Sequence, residues 1–210
     1  MKVVVGHRRK EETIGRKKSN FEKMTEGWFG YIFYAALGII IAFLVNLTLA
    51  VALSTDLPVV AVVSGSMIHD ETIELNHYQW LEKKFGYNRS YIDSWPVNKG
   101  FGIGDLPIIQ GSKDYKVGDV VVFSVPCESS PIIHRIVYIN EDGSYQTKGD
   151  HNPDQITKCC GIEKQVCYTE KSISKDQIHG KVIFIIPKLG YFKVIASEIF
   201  EGVRRVLGGI

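Results

Sequence analysis

The sequence of 210 residues predicts a mostly β domain that follows a transmembrane helix and precedes a C-terminal amphipathic helix. Three observations predict this class: one long apolar segment without charge, several short β-branched runs after it, and apolar residues at helical spacing in the tail. The predicted divisions are a basic cytoplasmic tail at 1–26, a transmembrane anchor at 27–55, a β-rich extracytoplasmic domain at 56–187 with an insertion at 68–113, and the amphipathic helix at 188–210.

The anchor is predicted from the segment between Gly27 and Thr55, which contains no charged residue. A helix needs about 20 mostly apolar residues to cross the hydrocarbon core of a bilayer. The apolar region of a cleaved signal peptide has only about 7–15 residues, so this segment is too long for one. Trp28, Tyr31 and Tyr34 crowd one end, as expected of aromatic residues at a membrane interface. The sequence therefore predicts a retained, single-pass anchor.

The charges around the anchor predict its orientation. Eight Lys and Arg residues precede it, whereas the next basic residue after it is Lys83. The positive-inside rule then places the N-terminal tail in the cytoplasm and the chain after about Asp56 outside the cell membrane. The tail also fits a solvated, partly disordered segment. A net charge of +2 over the whole chain gives no sign of nucleic-acid binding.

The four cysteines all follow the anchor, on the side predicted to be oxidising. We expect disulfides there, and four thiols allow three pairings, which the sequence leaves open together with the alternative of free buried cysteines. Their spacing lacks the CxxC pair of a structural zinc site, and the sequence predicts no metal and no cofactor. The four residues are Cys127, Cys159, Cys160 and Cys167.

Several runs in the domain have the β-branched or alternating composition of strands, and "NEDG" at 140–143 predicts a hairpin turn between two of them. The insertion is polar and aromatic, with a short helix predicted at Trp80–Phe85 and a glycosylation-like triplet at Asn88. Charges interrupt the C-terminal helix, which therefore lies at the membrane interface or packs on the domain. The predicted strands are 59–63, 117–125, 132–139, 144–150 and 178–187.

Three segments carry residues that could perform chemistry. Ser66 in "SGSM" is a candidate nucleophile, with Ser64 as a donor to an oxyanion, but a serine needs a base to take its proton. His134 interrupts an apolar strand and is the candidate base, the alternative being a half-buried histidine on the solvent face of an edge strand. Asp150 and Asp154 in "TKGDHNPD" could orient this histidine or could form an Asx turn.

In this order, "SGSM", "HR" within an apolar strand and "TKGDHN" resemble the conserved boxes of type I signal peptidases. The resemblance is greatest to the archaeal and endoplasmic-reticulum branch, in which a histidine is the base. "VGDVVVF" and "IPKLGYF" resemble two further elements, so the resemblance covers residues 59–67, 102–154 and 178–192. It implies a signal-peptidase-like β catalytic domain with Ser66 as nucleophile and His134 as general base.

The chain departs from the family's pattern at two places. Asp150 matches the first aspartate of the Gly-Asp box, but the second ordinarily stands where this chain has Ile156, and the nearest later acid is Asp154. We expect Asp154 to orient His134 and Asp150 to hold the turn beside the site. The Glu-Pro that usually follows "SGSM" is replaced by residues 68 and 69, Ile and His.

The resemblance implies a membrane-bound serine endopeptidase that removes signal peptides from exported preproteins, contacts lipid, associates with the protein-export machinery and selects small residues at the first and third positions before the cut. About 10 residues separate Ser66 from the anchor, which tethers it within roughly 35 Å of the bilayer. Two alternatives stay open. A non-enzymatic surface or assembly protein with a β binding domain requires Ser66 and His134 to lie far apart, and the anchor argues against a self-cleaving repressor-type protease.

Overall fold

The computed structural model describes residues 27–161 and 166–191. Helix α1, Gly27–Leu53, carries no charged side chain and exposes most of its large apolar side chains. At 1.5 Å per residue it is about 40 Å long, enough to cross a hydrocarbon core of about 30 Å. The apolar helix predicted at 27–55 is thus confirmed, and its length and composition allow it to span a membrane.

Helix α1 ends in a left-handed residue. Ser54 has φ 52°, its N–H donates to Val51 O, and the Thr55 N–H reaches back to Ala50 O. These two bonds form the Schellman arrangement that satisfies the last carbonyls of a helix. The Thr55 hydroxyl then donates to His179 O at 2.9 Å. The chain leaving the helix is therefore tied directly to the β domain.

The β domain is built on a five-stranded antiparallel sheet and a separate two-stranded hairpin. The strand order of the sheet is β1-β7-β2-β3-β4, and every neighbouring pair is antiparallel. The hairpin pairs β5 with β6. The strands are β1 Leu106–Gln110, β2 Val120–Phe123, β3 Ile132–Ile139, β4 Tyr145–Lys148, β5 Thr157–Cys160, β6 Val166–Thr169 and β7 Ile178–Ile186.

Strand β2 is the centre of the core because all four of its residues are buried. Successive side chains of a strand point to opposite faces, and here the two faces join different apolar clusters. Val121 and Phe123 pack with Ile136, Tyr168 and other residues. Residues 120 and 122, both Val, pack in the second cluster, which also holds Met67. The sheet is thus covered on both faces beside the SGSM segment.

Four of the five predicted strands are found, three of them with shifted ends, whereas the strand predicted at 59–63 is not formed. Strand β3 has the predicted bounds, and the Asn140–Gly143 turn joins it to β4 as a hairpin, with Gly143 at φ 82°. Residues 59–63 run beside β1 through the N–H groups of Val60 and Val62, but only Val59 forms a ladder pair. Strand β1 itself lies inside the stretch predicted as an insertion.

Three short helical elements lie before β1 in that stretch. A π-helical turn at Glu74–Gln79 continues into α2, Trp80–Phe85, which confirms the predicted short helix. Helix α3, Arg89–Asp93, begins where the Asn88 side chain accepts the N–H of Tyr91. Their apolar side chains form a third cluster that includes Val137 of β3. We call residues 69–95 the helical segment.

The four cysteines form two disulfides, Cys127–Cys160 and Cys159–Cys167. The second bridge links directly opposed residues of β5 and β6. The first ties the hairpin to the loop between β2 and β3. The expectation of disulfides is confirmed, and one of the three possible pairings is selected. The predicted basic tail at 1–26 and nearly all of the predicted C-terminal helix lie outside the described residues.

Candidate active site

Ser66 lies in a tight turn that leads into the buried core. The following residue, Met67, is 1% exposed, and its carbonyl accepts the N–H of Phe101 at 3.0 Å. The Ser66 carbonyl accepts the N–H of His151 at 2.9 Å. The hydroxyl of Ser66 lies 3.3 Å from that of Ser64. The backbone on both sides of Ser66 is thus fixed, while its hydroxyl faces a second hydroxyl.

His134 lies in the middle of β3, opposite Val121 of the central strand, and is 2% exposed. Its Nδ1 atom is 2.5 Å from Oε1 of Glu170, which is fully buried. An ionised carboxylate can only accept, so Nδ1 carries the proton and Nε2 presents a lone pair. The surroundings therefore select the tautomer in which Nε2 is able to accept a proton.

Gly149 brings the serine and histidine segments together. A β-carbon placed on Gly149 would lie 2.8 Å from His134 Nε2 and 2.8 Å from the Ser66 carbonyl oxygen. Such distances are below van der Waals contact, so only a glycine fits between the two. Lys148 stabilises the turn at Gly149, because its Nζ donates a hydrogen bond to Gly149 O at 2.8 Å. Burial lowers the pKa of Lys148 to about 8.

Ser64, Ser66 and His134 all line one cavity with a volume of about 590 Å³. Residues 60–63, which are all Val or Ala, form one wall, and Ile132 and Ile133 belong to another. Tyr168 of the hairpin closes a further side. The arrangement is a mostly apolar cavity with two hydroxyls and an imidazole at one place, which suits acyl transfer on an extended peptide.

The carboxylate in contact with His134 is that of Glu170, whereas the sequence suggested Asp150 or Asp154 at this place. Oε1 of Glu170 also accepts the Thr147 hydroxyl at 3.0 Å, and Oε2 accepts the N–H of Ile156 at 2.7 Å.

Asp150 is fully buried but faces away from that contact, into a cluster of cationic and histidine side chains. Arg135 donates to it from Nε and from Nη2, the latter at 2.7 Å. His69 Nε2 lies 2.8 Å from one oxygen, and His77 Nδ1 lies 3.3 Å from the other. Burial alone would raise the pKa of Asp150, but the charge of Arg135 and the bonds from His69 and Arg135 hold it well below its usual range. These contacts link Asp150 to β3 and to the helical segment.

Asp154 is exposed, and its carboxylate accepts hydrogen bonds at the surface of the domain. Its Oδ1 accepts the indole N–H of Trp80 at 3.1 Å and the N–H of Gln155 at 2.8 Å. The bond from the Gln155 N–H lowers the pKa of Asp154, with a smaller contribution from Trp80. The Asn152-Pro153 turn thus directs this carboxylate toward the helical segment, because Trp80 belongs to α2.

A second serine, histidine and aspartate are linked elsewhere on the domain. The Ser124 hydroxyl lies 2.7 Å from His179 Nε2, and His179 Nδ1 lies 2.9 Å from Asp56. However, the Ser124 N–H already donates to Gln177 O, so it is not available to an oxyanion. Ser124 is exposed and does not line the cavity. These residues offer matched controls for the cavity residues.

Comparison with known proteins agrees with this geometry. The chain is 32% identical over 110 residues to the signal peptidase complex catalytic subunit SEC11 of Eremothecium gossypii, and the match covers 50% of this chain and 63% of that protein. It is 26% identical over 164 residues to the protein of the same name from Candida tropicalis, covering 75% and 76%. The sequence of the chain is thus similar to those of SEC11 proteins from several organisms.

A further SEC11 protein, from Dictyostelium discoideum, is 30% identical over 90 residues, with 40% of this chain and 46% of that protein covered. No protein-family model matches the chain. The match to the Eremothecium gossypii protein spans less than two thirds of its length. The resemblance carried by "SGSM", "HR" and "TKGDHN" is therefore confirmed by similarity to these proteins, and the roles of single residues in this chain are inferred from its own geometry.

Glu170 is the site residue that the sequence does not reveal. It is separated from His134 by 36 positions and follows directly on β6, in a disulfide-closed hairpin without any recognisable box. The sequence contains one signal. Ile156 occupies the position of the family's second aspartate, so a carboxylate that contacts the histidine would have to come from another segment. The fold, and not the sequence, brings the Glu170 carboxylate to His134.

Proposed function

We propose that the chain is a membrane-anchored serine endopeptidase that removes signal peptides from exported preproteins. The observation that carries the proposal is the meeting of Ser66 and His134 across Gly149 at one cavity. The names of the SEC11 relatives support the substrate class. No metal or cofactor takes part in the proposed reaction.

The reaction begins when the Ser66 hydroxyl turns from Ser64 toward His134 Nε2. Nε2 accepts the hydroxyl proton while Oγ attacks the carbonyl carbon of the scissile bond. The tetrahedral intermediate collapses as His134 returns the proton to the leaving amine. Water, deprotonated by the same nitrogen, then releases the acyl group from Ser66. The base and the acid of the cycle are thus the same atom.

Ser64 is the proposed side-chain donor to the oxyanion, together with the backbone N–H of Ser66. Its hydroxyl lies 3.3 Å from Ser66 Oγ, so it adjoins the place where negative charge develops on the substrate oxygen. One donor of this kind contributes on the order of 10²–10³ in kcat in another serine protease.

The substrate binds as an added strand along residues 59–63. In that segment the N–H groups of Val60 and Val62 donate to the strand side that carries β1. Alternate residues of a strand direct their backbone groups to opposite sides. The backbone groups of Ala61 and Val63 are therefore directed toward the other side, where an extended peptide can pair. Small side chains before the cut, as the family resemblance implies, would occupy the adjacent apolar cavity.

We further propose a single-pass location in the cell membrane, with the N-terminus in the cytoplasm and the domain after Asp56 outside. Helix α1 supplies the span and its contact with lipid, and the basic residues before Gly27 supply the charge asymmetry. Preprotein signal peptides reach such a site at the outer membrane surface, which makes the protein-export machinery the expected neighbour. The alternative of a non-enzymatic binding domain needs Ser66 and His134 apart, whereas both line one cavity.

The test uses the full-length chain in detergent with a preprotein substrate, with products identified by mass spectrometry. Ser66→Ala should reduce cleavage to the background rate because it removes the hydroxyl that attacks the scissile bond. Ser124→Ala, which removes the serine beside His179, should cleave like the unmodified chain. Normal cleavage by Ser66→Ala would overturn the proposal, as would loss of cleavage confined to Ser124→Ala.

A further inference from the structure

Glu170 is held more firmly than a surface carboxylate. Its side chain is fully buried, and its two oxygens accept from Thr147 and Ile156 in addition to the contact with His134. Its backbone is fixed as well, since the Glu170 N–H donates to Ile156 O at 2.9 Å and Glu170 O accepts the Thr147 N–H at 2.8 Å. The side chain therefore has one orientation, which points at Nδ1 of the proposed base.

We propose that Glu170 is the positioning residue of this peptidase and replaces, from a different segment, the aspartate that the chain lacks at position 156. The proposal rests on the proposed function, because it assigns Glu170 a role through His134. Ile156 supplies the link between the two positions: its backbone N–H lies 2.7 Å from Oε2 of Glu170. The carboxylate thus lies against the backbone of the residue from which the family's aspartate would extend. The carboxylate of Glu170 thus comes from a different position in the sequence, but it lies beside His134 as the family's aspartate would.

The chemical role follows from the direction of the contact. With Oε1 accepting at Nδ1, the Nε2 lone pair is kept toward Gly149 and Ser66, and the negative charge stabilises the imidazolium that forms during attack. Other titratable groups near Glu170 are Lys148, which is buried, and Tyr168, whose pKa is raised to about 12 by burial and by the nearby Glu128. Glu170 is thus the acceptor that holds the base in one tautomer.

The hairpin explains how a carboxylate outside the recognised boxes can be placed so accurately. Glu170 is the first residue after β6, which is linked to β5 by Cys159–Cys167, while Cys127–Cys160 ties the hairpin to the loop before β3. The hairpin is therefore joined covalently to the loop that leads into the strand carrying His134.

The first test is Glu170→Gln, which keeps the size of the side chain and removes its charge. In a well-studied serine protease the corresponding change lowers kcat by about 10⁴-fold. We expect a loss of that order in kcat with little change in KM, because the substrate cavity is left intact. We also expect the acid limb of the pH–rate profile to move to lower pH, since the histidine is harder to protonate without the adjacent negative charge.

The second variant, Thr147→Val, keeps the carboxylate and removes one of its donors. A carboxylate with fewer hydrogen-bond donors attracts the imidazole proton more strongly. The acid limb of the pH–rate profile should therefore move to higher pH, in the direction opposite to its movement in Glu170→Gln. We also expect kcat to fall less than it does in Glu170→Gln. If Glu170 had a role in folding alone, its substitution would change the melting temperature and leave both limbs of the pH–rate profile unchanged. Because Thr147→Val retains the Glu170 carboxylate beside His134, it stays informative even if Glu170→Gln does not fold.

Ser66→Ala separates this inference from the proposed function. If Ser66→Ala is inactive and Glu170→Gln cleaves with a normal rate and pH profile, the peptidase stands and the role of Glu170 is wrong. If Ser66→Ala cleaves normally, the proposed function itself fails. Opposite displacements of the acid limb in Glu170→Gln and Thr147→Val support the positioning role, and displacements in the same direction contradict it.

Discussion

The aspartates at 150 and 154 show how two residues of one turn come to have different physical roles. Asp150 is fully buried and is the counter-charge of Arg135, which is 1% exposed. Three further bonds of Arg135 go to backbone carbonyls, so the guanidinium is fixed in place. Asp154 lies at the surface and accepts from Trp80. Loss of the carboxylate charge therefore lowers stability strongly only at position 150.

We predict that Asp150→Asn lowers the free energy of unfolding by about 3–5 kcal/mol, because it leaves a buried guanidinium without its counter-charge. Asp154→Asn should cost no more than about 0.5–1.5 kcal/mol, the contribution of an ordinary hydrogen bond. Denaturant unfolding of both variants in detergent measures the difference. Equal losses for the two variants would show that Arg135 does not depend on Asp150.

The same turn shows what can be predicted at the level of residues. Ser66 and His134 were identified because each is unusual in its local sequence, a serine in a boxed turn and a histidine in an apolar strand. The partner of His134 was not identified, because the choice among carboxylates depends on which loop passes behind β3. The need for glycine at position 149 is likewise visible only once Ser66 and His134 are seen on either side of it.

At the scale of elements, the helical segment supports the turn that carries Gly149. His69 and His77 bind Asp150, and Asn76 Nδ2 donates to His151 O at 2.8 Å. His77 is 3% exposed, and burial is the main cause that lowers its pKa to about 4. The segment that the sequence described only as an insertion is thus packed against the site through His69, Asn76 and His77.

This packing predicts a pH dependence of stability. The pKa of His77 is about 4 in the folded chain and about 6.5 in the unfolded chain, so the unfolded state binds the extra proton first. The contribution of His77 to stability is therefore complete above about pH 6.5 and is lost as the pH falls toward 4. The difference in unfolding free energy between the unmodified chain and His77→Gln should shrink over this window. A difference that stays constant between pH 7 and pH 4 would contradict the assignment.

Elements were predictable to different degrees for physical reasons. Strands β2, β3 and β7 were found because continuous apolar runs must be buried, and β4 because its turn residues are distinctive. Strands β5 and β6 were missed, since their residues are mostly exposed and polar and they are held by disulfides more than by apolar burial. Strand β1 was missed because Pro107 and the surrounding glycines suggested an irregular loop.

At the scale of the whole molecule, the account requires the β domain to lie on the outer side of the membrane. We predict that a membrane-impermeant maleimide added to intact cells labels Ser90→Cys, on exposed α3, and does not label Ser19→Cys in the N-terminal tail. The four native cysteines are paired in the two disulfides, which keeps them unreactive. Labelling at position 19 alone would reverse the orientation.

The central claim is that Ser66 and His134 act together as one catalytic unit. The most direct measurement is kcat/KM for preprotein cleavage by Ser66→Ala, His134→Ala and the double variant, with His179→Ala as the control histidine. When two residues act as one unit, removing the second after the first causes little further loss of rate. We therefore predict that kcat/KM of the double variant is about as low as that of either single variant. The kcat/KM of His179→Ala should equal that of the unmodified chain. Losses that multiply in the double variant, or normal cleavage by His134→Ala, would contradict the account.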